Sequence, residues 1–144
     1  MDIVTKFCQN DNDEIYTDAF YIRVKVFVEE QGISLESERD EFDSTAYHFV
    51  SYFNSIPIAC ARMNIKNNEA RICRVAVLKP FRCKGIASKL CAQCMAIARQ
   101  NKVVFVYLNA QVYVSSLYEK IGFSCVGNIF LEENIPHIRM VQTL

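Results

Sequence analysis

Glycine is scarce in this chain, with four in 144 residues at Gly32, Gly85, Gly122 and Gly127. Neither G-x-G-x-x-G nor G-x-x-x-x-G-K-[ST] occurs, so two familiar glycine-built phosphate cradles are excluded. An excess of charge is missing too, because sixteen basic residues balance sixteen acidic ones. Such a surface has no global field to steer it onto nucleic acid or an acidic membrane, and any anion site must be local. No apolar run reaches the roughly 18 residues that span a bilayer, and Asp2 and Lys6 interrupt the start where a leader would be apolar. The two histidines, His48 and His137, have no partner at metal-ligand spacing. The expectation is one domain over residues 1–144, soluble and cytoplasmic, with no nucleic-acid, membrane or metal partner.

Cysteine is plentiful, with seven at positions 8, 60, 73, 83, 91, 94 and 125. The count is odd, and the C-x-x-C formed by Cys91 and Cys94 falls inside a helix-patterned stretch, away from the N-terminal position that lowers a thiol pKa. Reduced, buried thiols acting as small apolar groups fit best, and they imply a reducing compartment. Cys83 is the expected exception, exposed beside the phosphate-type loop described next.

That loop is Arg82-Cys83-Lys84-Gly85-Ile86-Ala87. An apolar run ending at Leu78 leads into it, and Ile86, Leu90, Cys94 and Ile97 leave it on one face of a helix through Asn101. The first N–H groups of a helix are free and sit at the positive end of its dipole, so main chain can hold a diphosphate there. Arg82 and Lys84 add charge, and Gly85 removes the Cβ from the approach.

Along the chain, Ile3 to Phe7 reads as a strand and Asp13 to Glu30 as a helix with Gly32 beyond its end. Ser34 to Asp43 reads as an acidic loop. Strands follow at 46–53, 58–65 and 70–78, with turns at Asn54-Ser55 and Lys66 to Glu69. After the 85–101 helix come a strand at 103–110, a short helix at 114–121, and strands near 126–130 and 138–141. Strands in succession, then strands alternating with helices, predict an α+β, mixed α/β fold built on a central twisted sheet of six to seven strands.

The motif R-x-x-G-x-A at Arg82 to Ala87 resembles the [QR]-x-x-G-x-[GA] signature of the GNAT superfamily of N-acetyltransferases. Further segments follow in that family's order: R-V-A-V-L from Arg74, V-Y-L-N-A-Q from Val106 and L-Y-E-K-I-G-F from Leu117. R-x-x-V-F-V-x-E-Q-G from Arg23 and H-I-x-M from His137 are similar to the small stand-alone members. The resemblance implies the GNAT acyl-CoA N-acyltransferase fold, acetyl-CoA as cosubstrate, a primary amine as acceptor, and a homodimer. Val75, Ala76 and Val77 would meet the pantetheine arm through main chain, with the Val77 N–H polarising the thioester carbonyl. Arg82, Cys83, Lys84, Gly85, Ile86 and Ala87 would hold the diphosphate, and Gln111 would touch the cofactor.

Tyr118 stands at the place of the family's general acid. A phenol stays protonated at neutral pH yet lies close in basicity to the thiolate it must neutralise. Asn109, nine residues before it, occupies a catalytic position where the eukaryotic glucosamine-6-phosphate enzymes carry Asp, and an amide cannot take a proton. Cys73-Arg74 replaces an acidic pair of those enzymes. Glu30, Asp40, Asp43, His48 or a water chain are the remaining candidates for the base. Arg23, Arg62, Arg71 and Arg74 would suit a phosphorylated acceptor, with Arg23, Glu30, His48 and Arg74 as substrate residues and glucosamine 6-phosphate as the specific expectation. The acidic loop supports a protein or peptide acetyltransferase as alternative, and Asn109 a CoA-binding sensor without turnover.

Overall fold

A computed structural model describes residues 2–144. Its strands are β1 (Ile3–Cys8), β2 (Tyr47–Phe53), β3 (Ile56–Lys66), β4 (Glu69–Val77), β5 (Phe105–Gln111), β6 (Ser124–Glu132) and β7 (Ile135–Thr143). They form one sheet in the order β1-β2-β3-β4-β5-β7-β6. Each neighbouring pair is antiparallel except β4 and β5. The α-helices are α1 (Glu14–Arg23), α2 (Leu35–Glu38), α3 (Ile86–Gln100) and α4 (Ser115–Lys120).

The seven-stranded mixed sheet flanked by helices bears out the expected fold, and two opposed cores show why it is stable. On one face α3 buries Ile86, Leu90, Cys91, Cys94 and Ala98 against Phe49, Met63, Ile72 and Val106. On the other, α1 and the turns after it bury Ala19, Ile22, Val26 and Phe27 against Val50, Cys60 and Ala76. The expected helix over 13–30 has α-helical pitch only to Arg23 and then widens into π-helical turns over Val24–Glu30. Asp13 caps its start by accepting from the Ile15 N–H at 2.8 Å. The acidic segment is not an open loop. Ser34 caps α2, and Asp40 caps a 3-10 turn over Glu41–Ser44.

Hairpins bind the strands in register. Asn54 and Ser55 both adopt positive φ (49° and 65°) between paired Phe53 and Ile56, the two-residue turn whose twist matches the strands. Glu133 and Asn134 (50° and 61°) do the same between Glu132 and Ile135, a turn that carries no glycine signal. The last two strands accordingly extend beyond the expected 126–130 and 138–141. At the outer edge, β6 leaves Val126, Ile129 and Leu131 exposed.

Two irregularities open the sheet at its centre. Parallel pairing of β4 with β5 covers Glu69 to Arg71 against Phe105 to Tyr107 and stops. Beyond it the strands part. On its other side β4 is bulged, because the register with β3 shifts between Cys60 and Arg62, and Arg74 sits at φ 55°. The extra residue reverses the phase of β4, so Ile72, Val75 and Val77 all pack toward the α3 core, while Ala76 joins the α1 core.

Candidate active site

The parted strands border a cavity of about 680 Å³ lined by β4, β5, the Arg82–Ala87 loop, the π-helical turns and the β6–β7 hairpin. Leu78 donates its N–H to Ile58 O on β3 at 2.9 Å. By strand alternation the Val77 and Val75 peptide groups face the opposite way, into the gap. Arg82 Nε donating to Val77 O at 2.8 Å marks that side.

The loop ahead of α3 presents main chain. Cys83 (φ 63°) and Gly85 (φ 76°) are both left-handed, and the first bond of the helix runs from the Lys89 N–H to Gly85 O at 3.2 Å. The N–H groups of Ile86, Ala87 and Ser88 therefore have no preceding turn to bond, and they crown the helix with positive partial charge. A Cβ added at Gly85 would meet nothing within 4 Å, so the glycine answers to backbone conformation and not to crowding within the chain. Val75, Ala76, Val77, Cys83, Gly85, Ile86, Ala87, Gln111 and Tyr118 all line the cavity. Lys84 is exposed and does not line it.

Arg82 departs from the expectation of a free charge for the diphosphate. Its guanidinium holds Val77 O and forks onto Glu30, with Nη2 2.9 and 2.8 Å from the two carboxylate oxygens. Glu30, expected as a substrate residue or base, is thereby engaged at the rim. Tyr118 on α4 is 7% exposed, with its ring edge-on to Phe123. Burial pushes the phenol well above its ordinary pKa, so it stays protonated. Asn109 accepts from Arg139 Nε at 3.1 Å. Gln111 exchanges amide hydrogen bonds with Gln31 at 3.0 and 3.3 Å, tying β5 to the end of the π-helical turns.

The arginines expected to bind substrate phosphate are already paired. Arg23, 1% exposed and outside the cavity lining, donates Nε to Glu38 at 2.8 Å and forks onto Asp43 at 3.1 and 3.2 Å. Arg62 Nη1 reaches Asp40 and Asp43, both at 2.7 Å. Arg74 lies 2.8 Å from Glu38 and 3.3 Å from Asp40. Taking guanidinium and carboxylate out of water is tolerable only when they meet each other, which is why the acidic segment folds down onto these arginines. Arg23 is thus corrected from substrate residue to structural ion pair, and the segment is not an open acidic groove. His48 is corrected likewise. It is fully buried outside the cavity lining, its Nε2 is 2.8 Å from Asp43 O, and burial lowers its pKa.

Among these arginines Arg71 is the most loosely held, since its only carboxylate neighbour in the described residues is Glu132, 4.0 Å from Nη2, and its buried Nε has no hydrogen-bond partner there. It lines the cavity with Glu132, Glu133, His137 and Cys73, none of which was singled out as a site residue from sequence. Gln31 lines the cavity as well, and the E-Q-G segment contains it. The thiols behave as expected for Cys91 and Cys94, which are buried with raised pKa values, and Cys83 is exposed. Cys125 is exposed as well. Among the described residues no group of three or more His, Cys, Asp or Glu is placed to hold a metal ion, and no helix is long and apolar enough to cross a membrane.

The cavity thus lies where the sheet parts between two parallel strands, with a bulge on one and a helix N-terminus at its border, and sequence comparison gives the family. The acetyltransferase (GNAT) domain profile matches residues 9–144. The chain belongs to the GNAT family. It is 32% identical to the Bacillus subtilis N-acetyltransferase YjcF over 91% of this chain and 94% of that one. The crystal structure of Escherichia coli ElaA superposes with a TM-score of 0.87 at 24% identity, covering 98% of this chain and 99% of that one. The Thermoplasma acidophilum PaiA N-acetyltransferase, solved with coenzyme A, gives a TM-score of 0.74 at 16% identity and full coverage of both chains. As a GNAT member the protein is an N-acetyltransferase with acetyl-CoA as its cosubstrate.

Proposed function

We propose that the protein transfers acetyl from acetyl-CoA directly to a small primary amine that enters the gap from the α1 face. The observation carrying this reading is the separation of β4 from β5 beyond Arg71 and Tyr107. It leaves the Val75 peptide groups and the Val77 N–H open toward the pantetheine arm, and buried Tyr118 lines the same cavity. The diphosphate lies on the N–H groups of Ile86, Ala87 and Ser88. The Val77 N–H polarises the thioester carbonyl, the amine attacks it, and Tyr118 protonates the departing thiolate.

For the acceptor, glucosamine 6-phosphate keeps the support of Arg71 alone, since Arg23, Arg62 and Arg74 are engaged with carboxylates. One charge-assisted contact of about 1.5 to 3 kcal/mol gives roughly a 10- to 10²-fold preference in kcat/KM over glucosamine. The test is thiol release from acetyl-CoA with glucosamine 6-phosphate, glucosamine, a polyamine and a Lys peptide, repeated with Arg71→Ala. A preference that the variant abolishes supports the phosphorylated acceptor, and equal rates on the peptide favour protein acetylation. Absence of turnover on every amine would leave a CoA sensor. A homodimer through the β6 edge is supported by exposed Val126, Ile129 and Leu131, and sedimentation equilibrium tests it.

A further inference from the structure

We infer that His137 is the general base that deprotonates the acceptor ammonium, with Glu132 beside it to stabilise the imidazolium. The inference rests on the amine-transfer reading of this gap and goes beyond it. His137 is 6% exposed and lines the cavity from β7. Its register partner on β5 is Gln111, and Asn109 pairs with Arg139 two residues along. These four residues alternate with Ala110 and Ile138, which pack on the α3 core, so His137 belongs to the opposite, acceptor face.

The tautomer follows from a single contact. His137 Nδ1 lies 2.6 Å from Ile135 O, and a carbonyl oxygen only accepts, so Nδ1 carries the hydrogen. In the neutral imidazole the lone pair is then on Nε2, and Glu132 Oε2, 3.5 Å away, is placed to meet the proton that Nε2 takes up. The Phe130 ring stacks alongside at 6.0 Å between centroids and fixes the imidazole plane. The charged groups bearing on it are Glu132 from β6 and, through that carboxylate, Arg71 from β4, whereas Gln111 on β5 is neutral. Imidazole is the side chain suited to exchanging protons near neutral pH.

Nε2 takes one proton from the ammonium, and the freed lone pair forms the C–N bond to the thioester carbonyl carbon. As the intermediate collapses the C–S bond breaks, and the thiolate receives the Tyr118 proton. The second proton shed by nitrogen restores Tyr118. The first leaves the imidazolium for solvent past half-exposed Glu132. The net change is one proton released, one amide formed and one thiol formed.

His137→Asn tests this, because its amide can still donate to Ile135 O while no nitrogen remains at the Nε2 position. Thiol release is measured with glucosamine, spermidine and a Lys peptide, all ammonium ions at neutral pH, and with 2,2,2-trifluoroethylamine, a much weaker base. The expected result is a fall of about 10² to 10³ in kcat on the ammonium acceptors. The deficit on trifluoroethylamine is far smaller, and CoA binding by calorimetry is unchanged. Near-normal rates, or the same loss on every amine, would overturn the assignment. If the wild type turns over none of these amines and not glucosamine 6-phosphate either, the proposed function has failed by itself. Nitrogen-15 NMR of the neutral imidazole tests the residue separately, since a proton on Nε2 in place of Nδ1 refutes the assignment.

Discussion

Asp43 is the carboxylate on which the segment between α1 and β2 depends, and Asp43→Asn measures that dependence. Its side chain is fully buried and accepts from Tyr16 Oη at 2.9 Å, Arg62 Nη1 at 2.7 Å and two Arg23 nitrogens at 3.1 and 3.2 Å. An amide keeps one acceptor oxygen, so at most two of these bonds survive while an NH₂ is turned against donors. Arg23, Arg62 and Arg74 would then share only Glu38 and Asp40. Breaking a buried pair costs about 3 to 5 kcal/mol. With an unfolding entropy near 2.1 cal/mol/K per residue, a chain of this length loses about 3 °C of Tm per kcal/mol, so the expected fall is about 10 to 16 °C. Tyr16→Phe, which removes one bond to the carboxylate, should cost about half as much. Glu29→Gln, at an exposed pair with Lys25, should shift Tm by less than about 2 °C. Thermal melts by circular dichroism at pH 7 give all three values, and a drop below about 3 °C for Asp43→Asn would refute the buried network. The pH dependence has a definite sign. Burial alone would raise the Asp43 carboxyl, yet the Arg23 charge and the hydrogen bonds from Arg23, Arg62 and Tyr16 bring it below the usual range. Its contribution is therefore present above about pH 4 and is lost as pH falls through the folded value.

Tyr118→Phe should lower kcat by about 10² to 10⁴ with acetyl-CoA affinity retained, and an acetyl donor with a more acidic thiol should recover much of the loss. Gly85→Asp should abolish the preference for CoA over pantetheine in calorimetry. Gly85→Ala, which meets the same positive φ without the charge, should instead cost about 1 kcal/mol of stability and keep that preference. His48→Gln should flatten the stability profile between pH 7 and 5, because burial depresses the folded pKa and the unfolded chain takes up a proton near pH 6.5 that the native state refuses. Arg74→Gly should stay within about 1 kcal/mol of wild type in urea denaturation, losing a part-exposed ion pair but relieving the positive φ. Arg74→Val, β-branched at the same φ, should fall by about 2 to 3 kcal/mol and loosen acetyl-CoA binding.

What was legible in the sequence was what neighbouring residues decide. The α3 stripe of Ile86, Leu90 and Cys94, the basic turn with Gly85 at its end, and the Tyr118 segment each depend on spacings within a few turns of chain. The strands were found for the same reason, with ends displaced where turns lack glycine, as at Glu133-Asn134. The ion-pair network was not legible, because Arg23, the segment carrying Glu38 and Asp43, Arg62 and Arg74 come from four separate places in the chain and only the folded sheet sets them side by side. Read singly, an arginine in a strand offers either a solvent-facing charge or a ligand contact, and the structure chose a third fate. His137 lies within the H-I-x-M segment, but nothing local says that Ile135 O fixes its tautomer.

The network and the site are connected through Arg74. A left-handed arginine inside a strand is strained, and such strain persists only where surrounding structure holds it. Glu38 and Asp40, the carboxylates that grip its guanidinium, belong to the segment that Arg23 and Arg62 pin to the sheet. The bulge so held reverses the phase of β4, which turns Val75 and Val77 toward the α3 side and their peptide groups toward the gap. A regular strand would have carried Val75 to the α1 face and continued alongside β5 with its hydrogen bonds filled. The buried charges thus serve the reaction without touching its substrates: they keep β4 in the irregular course that leaves backbone free to bind.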